Sequence, residues 1–248
     1  MIIPLLAGII TFLFTTVLTI AGVGAAFILI PVFIGLKIDI HVAMATALLL
    51  NAIAMTFASY RFYKDKLILW QVALPILIIA TALSPLGAWT SRFLDRNVLL
   101  WLFTAFLVFA GSMMLFYQPK ASQKEHSRTT QIISGLLVGS AAGFLGGLLG
   151  VGGGNFIVPV LVWLGYDPKK SSATTSFIVI FSSLSGFMGH ATLGAINVPL
   201  LAFTASGSAT GALLGAWLMS KKLQQKQVKA IIGVVLFAIA IKMAWGLL

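Results

Sequence analysis

The sequence has little charge and no cysteine. Only 8% of its 248 residues are charged and 60% are hydrophobic, which is not the composition of a soluble globular domain. Without cysteine there is no disulfide framework, no thiolate metal ligand and no cysteine nucleophile. Three histidines and five carboxylates, mostly in predicted loops, argue against a metal site. The composition indicates an integral membrane protein, for which we expect no metal, no cofactor and no catalytic centre.

The few charges are mostly positive, and the formal net charge is +11. In a soluble protein this excess would point to nucleic acid. Here the lysines and arginines lie in short stretches between apolar segments, which is typical of the cytoplasmic loops of membrane proteins. We therefore expect the partners to be the lipid bilayer and a small solute, and no nucleic acid.

Long polar stretches are also missing. Apolar segments of about 20 residues, the length that crosses a bilayer as a helix, recur along the whole chain. An N-terminal signal peptide is not predicted, because a basic n-region is missing and the first segment has an internal copy. The sequence predicts one all-α domain, a polytopic transmembrane helical bundle, with segments at 2–21, 24–36 (short), 40–60, 67–91, 97–117, 131–149, 153–166 (short), 168–190, 195–220 and 228–248.

The two halves of the chain repeat one another without gaps at an offset of 128 residues. The Gly-Val-Gly at 22–24 aligns with 150–152, and the Ala-Thr at 45–46 aligns with 173–174. Internal repeats with broken helices in corresponding positions are typical of secondary transporters, in which the breaks mark the binding site.

The positions of lysine and arginine predict how the repeats are oriented. If each half has an odd number of crossings, or three crossings and a re-entrant pair, twelve of the sixteen basic residues fall on one side of the membrane. Four crossings per half would give nine. Only the first distribution obeys the positive-inside rule. We predict two inverted repeats, 1–117 and 131–248, each with a broken or re-entrant first helix pair, a cytoplasmic linker at 118–130 and both termini outside.

The glycines at 150–154 predict a break in a helix, because each costs about 1 kcal/mol relative to alanine in a helix interior. Broken backbone in lipid is tolerated only where it is buried in protein or lines a wet cavity. The helix predicted from 153 would begin with free N–H groups and the positive end of its dipole inside the protein, which attracts anions. A tight turn between two helices would need the same glycines, and the position of the following helix favours the anion site.

The candidate binding residues lie at this break or can face it. Hydroxyls follow Asp167-Pro168, a helix-capping acid and a proline at the first helical position; Asp39 is predicted to cap the equivalent helix. The first half is less polar, and Asn51 is expected to bond mainly across helices. Since no lysine or arginine lies deep in a segment, amides, hydroxyls and helix ends would hold the anion. The predicted residues are Gly150, Gly152, Gly153, Gly154, Asn155, Thr174, Thr175 and Ser176, with Gly22, Gly24, Thr46 and Asn51 as secondary candidates.

Small residues recur every fourth position in the segment before the break. Such spacing lets helix backbones approach closely in lipid, where packing drives helix association. For these glycines we predict helix packing and no direct role in binding. They are Gly135, Gly139, Gly143 and Gly147.

These motifs resemble those of a known family. The pattern Gly-x-Gly-Gly-Gly-x-x-x-x-Pro at 150–159 and Pro-x-x-x-x-Ala-Thr-x-Ser at 168–176 resemble the sulfite exporter TauE/SafE family of membrane permeases. The resemblance implies transport of sulfite, thiosulfate, a sulfonate or a related organic acid across the bacterial inner membrane, which puts the termini in the periplasm. It would assign the family signature to Gly150, Gly152, Gly153, Gly154, Pro159, Ala173, Thr174 and Ser176.

The leading hypothesis is alternating access of two inverted repeats about the break. A coupling ion, H⁺ or Na⁺, would fit this mechanism, although too few acids lie in the segments to assign a proton relay, and the sequence indicates no oligomeric state. One alternative is an intramembrane hydrolase that uses Ser185 and His190, but nothing in the sequence orients this histidine. A channel or a non-transporting membrane scaffold is another alternative.

Overall fold

The computed structural model describes residues 2–26, 29–30, 33, 40–91, 93, 96–116, 128–190 and 198–245. These residues contain helices and no β-strand, which confirms the all-α prediction. A π-helical turn, Leu218–Lys222, extends the eighth helix. The helices are α1 (Ile2–Ile20), α2 (Ile40–Lys64), α3 (Trp70–Thr90), α4 (Arg96–Phe116), α5 (Arg128–Leu148), α6 (Gly154–Trp163), α7 (Pro168–His190), α8 (Val198–Trp217) and α9 (Gln225–Trp245).

The helices agree with the predicted segments to within a few residues at most ends. In the predicted short segment 24–36, the backbone is helical at 26, 29–30 and 33, and the rest of it lies outside the described residues. Helix α5 begins at Arg128, within the predicted linker 118–130. The remaining part of this linker, 118–127, also lies outside the described residues.

Apolar surface shows that the chain is a multi-pass integral membrane protein. Four described helices are long and apolar enough to cross a membrane, at Val42–Lys64, Trp70–Thr90, Pro168–Gly189 and Leu201–Lys222. Many large apolar side chains point outward, as lipid contact requires. They include the tryptophans Trp70, Trp89, Trp101, Trp163 and Trp245.

Helix packing follows the internal repeat. Helix α1 packs along α8, and their equivalents at the offset of 128 residues, α5 and α3, pack together in the same way. Helices α2 and α7 are equivalent and pack against each other, and so are α4 and α9. The packing therefore has the pattern that an internal two-fold axis produces.

Two of the equivalent helix pairs run antiparallel. Along α2 and α7, Asn51 meets Ser183, whereas Leu48, which precedes Asn51, meets Gly186. Along α4 and α9, the backbone of Gly111 lies against the Phe237 ring, and that of Gly233 lies against Leu115. In both pairs, the residue number rises along one helix as it falls along the other.

The glycines of α5 pack closely against α3, which confirms their predicted role. A side chain at Gly139 would lie 2.9 Å from the Ile76 carbonyl oxygen, and one at Gly143 would lie 2.6 Å from that of Ala80. In the equivalent pair α1 and α8, the glycines lie on α8, where Gly207 and Gly211 meet the backbone of Phe12. Each close helix pair thus has its glycines mainly on one partner.

Asp65, a partly buried acid, connects helix ends from both halves. Lys221 Nζ lies 2.8 Å from Asp65 Oδ1, and Arg61 Nε lies 3.8 Å from Oδ2. Burial alone would raise the pKa of the Asp65 carboxyl, but hydrogen bonds from Lys221 and Ser220 and the charges of Lys221 and Arg61 hold it below its ordinary value of 3.8. Lys169 Nζ also donates to the Ser220 carbonyl (3.0 Å). The ends of α2 and α8 and the start of α7 therefore share one face.

These helix ends form a basic face. Its lysines and arginines are among the twelve basic residues that the positive-inside rule predicts on one side of the membrane. The α7 start is capped as predicted, since the Lys170 N–H donates to Asp167 Oδ1 (2.9 Å). Asp39 lies outside the described residues. The described basic residues of this face are Arg61, Lys64, Lys66, Lys169, Lys170, Lys221, Lys222, Lys226 and Lys229.

Candidate functional site

The chain breaks after α5, as predicted. The Val151 N–H donates back to the Gly146 carbonyl (2.9 Å) and the Gly150 N–H to that of Gly147 (3.2 Å). With Gly150 at φ 68°, this is a Schellman motif, which ends a helix and satisfies its last carbonyls. Gly152 and Gly153 follow at φ 75° and 77°, a conformation that is costly for residues with a side chain. Residues 150–155 are all buried.

The first half contains the same turn. The Val23 N–H donates to the Leu18 carbonyl (3.2 Å) and the Gly22 N–H to that of Thr19 (3.0 Å). Gly22 and Gly24 have φ of 73° and 74°, like Gly150 and Gly152. The half that looked less polar in the sequence therefore breaks its helix in the same way.

The two breaks meet inside the protein. A side chain at Gly154 would lie 3.1 Å from both the Gly22 carbonyl oxygen and Val23 Cα. Each break also contacts the crossing helix of the other half, since Gly22 packs on Ser172 and Gly150 on Met44. Ser172 and Met44 are themselves equivalent at the offset of 128 residues. The breaks thus form one buried site that is built from both halves.

Helix α6 begins in the middle of the protein. A side chain at Gly154 would lie 3.2 Å from Val179, which is the central residue of α7. The ten residues of α6 rise about 15 Å, half of the bilayer core. The helix within the predicted segment 153–166 is therefore too short to cross a bilayer by itself, and its N-terminus lies beside the middle of α7.

The N-terminus of α6 has free donors. The N–H groups of Phe156 and Ile157 donate to the Gly153 carbonyl. The N–H groups of Gly153, Gly154 and Asn155 have no acceptor within the described part of the chain. The N-cap is Gly153, which has no side chain to accept from them. Free amide donors and the positive end of the helix dipole together favour an anion at this point.

Asn51 lies between two equivalent glycines. Its Oδ1 faces Gly24 and its Nδ2 faces Gly152, so that a side chain at either glycine would overlap the carboxamide. Nδ2 donates to Ser183 Oγ on α7 (3.0 Å), which confirms that Asn51 bonds across helices. Its Oδ1 is buried and has no hydrogen-bond partner among the residues that the structure describes. A primary amide thus stands where the two breaks meet.

Two further predicted residues carry buried polar atoms without partners. Asn155 is only 1% exposed, and neither Oδ1 nor Nδ2 has a hydrogen-bond partner within the described ranges. Thr175 Oγ1 is also buried and unpartnered. Thr175 stands on α7 between Ser172, which touches the first break, and Val179, which touches the second. Since buried polar groups in proteins are nearly always hydrogen-bonded, these atoms indicate a place where a ligand or water binds.

Other predicted residues have different partners. Thr174 Oγ1 accepts from the Leu69 N–H (2.9 Å) at the start of α3, so this hydroxyl supports a helix end. Ser176 Oγ donates to the Ser172 carbonyl within α7 (2.9 Å). Thr46, the equivalent of Thr174, is 7% exposed on α2. The structure therefore brings together Asn51, Thr175 and the glycines, and gives Thr174 and Ser176 partners of their own.

Two serines that were not selected from the sequence contact the break. Ser182 Oγ donates to the Gly152 carbonyl (2.9 Å), and Ser183 packs against Gly152 while it accepts from Asn51. With Ser172 and Thr175 they follow helical spacing along one face of α7. This helical spacing, rather than the number of hydroxyls, could have predicted which side chains of α7 line the site.

Ser185, which the hydrolase alternative requires, donates its hydroxyl to the Thr81 carbonyl (2.8 Å). The His190 side chain lies outside the described residues. No cluster of three or more His, Cys, Asp or Glu side chains that could hold a metal occurs in the described ranges.

The family profile described as Sulfite exporter TauE/SafE matches residues 7–243. The chain belongs to the TauE/SafE family. Probable membrane transporter protein YunE of Bacillus subtilis (strain 168) is 26% identical in an alignment 255 positions long that covers 93% of each chain. Probable membrane transporter protein MJ0441 of Methanocaldococcus jannaschii is 26% identical in an alignment 195 positions long that covers 72% of each chain.

A plant member of the TauE/SafE family is similar over a shorter region. Sulfite exporter TauE/SafE family protein 1 of Arabidopsis thaliana is 37% identical over 103 residues, which are 42% of this chain and 22% of the plant protein. No solved structure matches the chain. The family and its relatives make this chain a membrane transporter, and the resemblance seen in its motifs is confirmed.

Proposed function

We propose that this TauE/SafE member is a secondary transporter for a small anion, in the class of sulfite, thiosulfate, sulfonates and related organic acids. The anion binds where the two glycine breaks meet. The buried N-terminus of α6, with unpartnered N–H groups at Gly153, Gly154 and Asn155, is the observation that carries this proposal. Asn51 and Thr175 complete the site.

Neutral groups hold the anion in this proposal. Every described lysine and arginine lies near a helix end, so no fixed cation faces the break. Amide donors and a helix dipole bind an anion more weakly than a buried arginine would, because a charged donor makes the stronger hydrogen bond. Weaker binding suits a carrier, which must release its substrate on the other side. We propose no enzymatic role for the chain.

The carrier works by alternating access of two inverted repeats. The antiparallel packing of α2 on α7 and of α4 on α9 supports this arrangement, since inverted repeats require equivalent helices to run in opposite directions. Each repeat contributes one break to the site, so a movement of one repeat against the other changes the side from which the site is reached. This proposal names no coupling ion.

We place the basic face in the cytoplasm of a bacterial inner membrane and both termini in the periplasm. Because the chain has no cysteine, single-cysteine variants need no background substitutions. We expect Gln123→Cys and Lys226→Cys to react with a membrane-impermeant maleimide only from the cytoplasmic side. Phe93→Cys, which replaces an exposed residue beyond the other end of α3, should react only from outside. Labelling of position 226 in intact cells would overturn this orientation.

The substrate class can be tested on purified protein. Sulfite, thiosulfate, short sulfonates and short carboxylates are added to the protein in detergent, and the thermal unfolding midpoint is recorded. A ligand at 100 times its dissociation constant stabilises the folded state by about 2.7 kcal/mol, which raises the midpoint by several degrees. We expect at least one anion to raise the midpoint, and choline chloride serves as the control.

Anions that bind are then tested for transport. Uptake into proteoliposomes should saturate with concentration, whereas a channel would not saturate in the same range. Absence of stabilisation and of flux for every anion in the panel would contradict the proposed function.

A further inference from the structure

The buried site presents hydrogen-bond acceptors as well as donors. Asn51 Oδ1 faces Gly24 without a partner, and Asn155 Oδ1 has none. Both side chains are at most 1% exposed. A bare oxoanion, which can only accept, would satisfy the free N–H groups of α6. It would leave the carboxamide oxygens unsatisfied and repel them.

Reversing an amide does not remove the acceptors. Both ends of the Asn155 carboxamide are unpartnered, so in either orientation one end is an unsatisfied oxygen. Thr175 Oγ1, which is also unpartnered, can accept or donate. Whatever occupies the site must therefore both accept from N–H groups and donate to an oxygen.

We infer that the substrate is a small anion that carries its own O–H or N–H group, and that the carboxamides of Asn51 and Asn155 select it by accepting that hydrogen. The class includes hydroxy- and amino-substituted sulfonates or carboxylates and singly protonated inorganic oxoanions. The inference rests on the proposed anion-binding function and narrows it. Asn51 contacts both breaks and Asn155 lies at the start of α6, so both residues lie where the two breaks meet.

Two matched pairs of anions test the contribution of a hydroxyl donor at constant charge. Isethionate and propane-1-sulfonate both carry a sulfonate on a chain of the same length. The chain ends in a hydroxyl group in isethionate and in a methyl group in propane-1-sulfonate. Glycolate and propionate form the same pair with a carboxylate. Affinities of the full-length protein in detergent are measured by calorimetry or from the thermal unfolding midpoint. We expect the hydroxyl compound of at least one pair to bind at least about 5-fold more tightly, the lower bound for leaving a buried acceptor unpaired.

The protonated inorganic anions form a second arm. The affinity for sulfite is measured at several pH values across the pKa of hydrogensulfite. Binding that follows the hydrogensulfite fraction supports the inference, and binding that follows the dianion contradicts it.

Variants locate the effect. Asn155→Leu and Asn51→Leu should each lower the ratio of hydroxyl to methyl affinity toward one. A general distortion of the site would weaken both compounds and leave the ratio unchanged, and such a result would contradict the assignment. Thr11→Val is the control, because it also removes a buried unpartnered hydroxyl, on α1 away from the breaks. Its ratio should equal that of the natural protein.

The outcomes are distinct. Equal binding within both pairs, together with sulfite binding that follows the dianion, overturns this inference and leaves the anion transporter standing. If no anion binds at all, the proposed function itself fails, and the inference fails with it.

Discussion

Gly153→Leu is expected to abolish anion transport while the protein still inserts into the membrane. Gly153 has φ 77°, and a side chain there would lie 2.6 Å from the Ala142 carbonyl oxygen. The backbone must move, and with it the N–H groups of Gly154 and Asn155 that begin α6. We expect at least a 100-fold loss of uptake in proteoliposomes, because the loss of two or three hydrogen bonds to a charged ligand, at about 1.5–3 kcal/mol each, exceeds that factor.

Gly165→Leu is the matched control for Gly153→Leu. Gly165 also has a positive φ, 93°, and ends α6 with the same kind of turn, in which the Tyr166 N–H donates to the Leu161 carbonyl (3.1 Å). It lies at the opposite end of α6 from the site. This variant should lose stability and keep transport. Normal uptake by the Gly153→Leu protein would contradict the site proposed here.

Gly143→Leu is expected to prevent the protein from folding. Gly143 lies directly against the backbone of Ala80, and a side chain there would come within 2.6 Å of the Ala80 carbonyl oxygen. Since α3 and α5 touch along their whole length through such glycines, a bulky residue forces them apart and removes the packing that holds helices together in lipid. Overpacking alone costs about 1–3 kcal/mol, and separating the backbones adds to it.

The yield of monodisperse protein after detergent extraction, measured by size-exclusion chromatography, tests this prediction. Ala141→Leu introduces the same side chain two residues away on the exposed face of α5, and its yield and unfolding midpoint should match those of the natural protein. If Gly143→Leu were extracted as stable as Ala141→Leu, α3 and α5 would not pack as described.

The helix break, its repetition and the close helix packing could all be predicted from the sequence, because each depends on a local property of glycine. Gly150 and Gly22 end their helices whatever those helices pack against. On α5, a glycine at every fourth position defines the face of the helix that can pack closely. The constant offset made the second break recognisable even though Ala25 and Ala26 replace two of its glycines. These predictions needed no knowledge of which helices touch.

The partners of individual side chains could not be predicted, since they depend on how the helices are rotated and on contacts distant in sequence. Thr174 was expected to face the break, and its hydroxyl instead accepts from Leu69, 105 residues earlier. Ser183 was not selected from the sequence, although it bonds to Asn51 across 132 residues. The offset aligns Gly24 with Gly152, but it does not reveal that one side chain from α2 reaches both.

Asn51 also shows that the two halves have become specialised and can no longer replace each other. Its counterpart in the second half is Val179, which contacts Gly152 and Gly154 of its own half and offers no polar group. A protein assembled from two copies of the second half would have valine at both positions and no amide between its glycines. Two copies of the first half would have the amide twice but would lack Gly153, Gly154 and Asn155. The two halves therefore supply different groups to one site, and the site needs both of them.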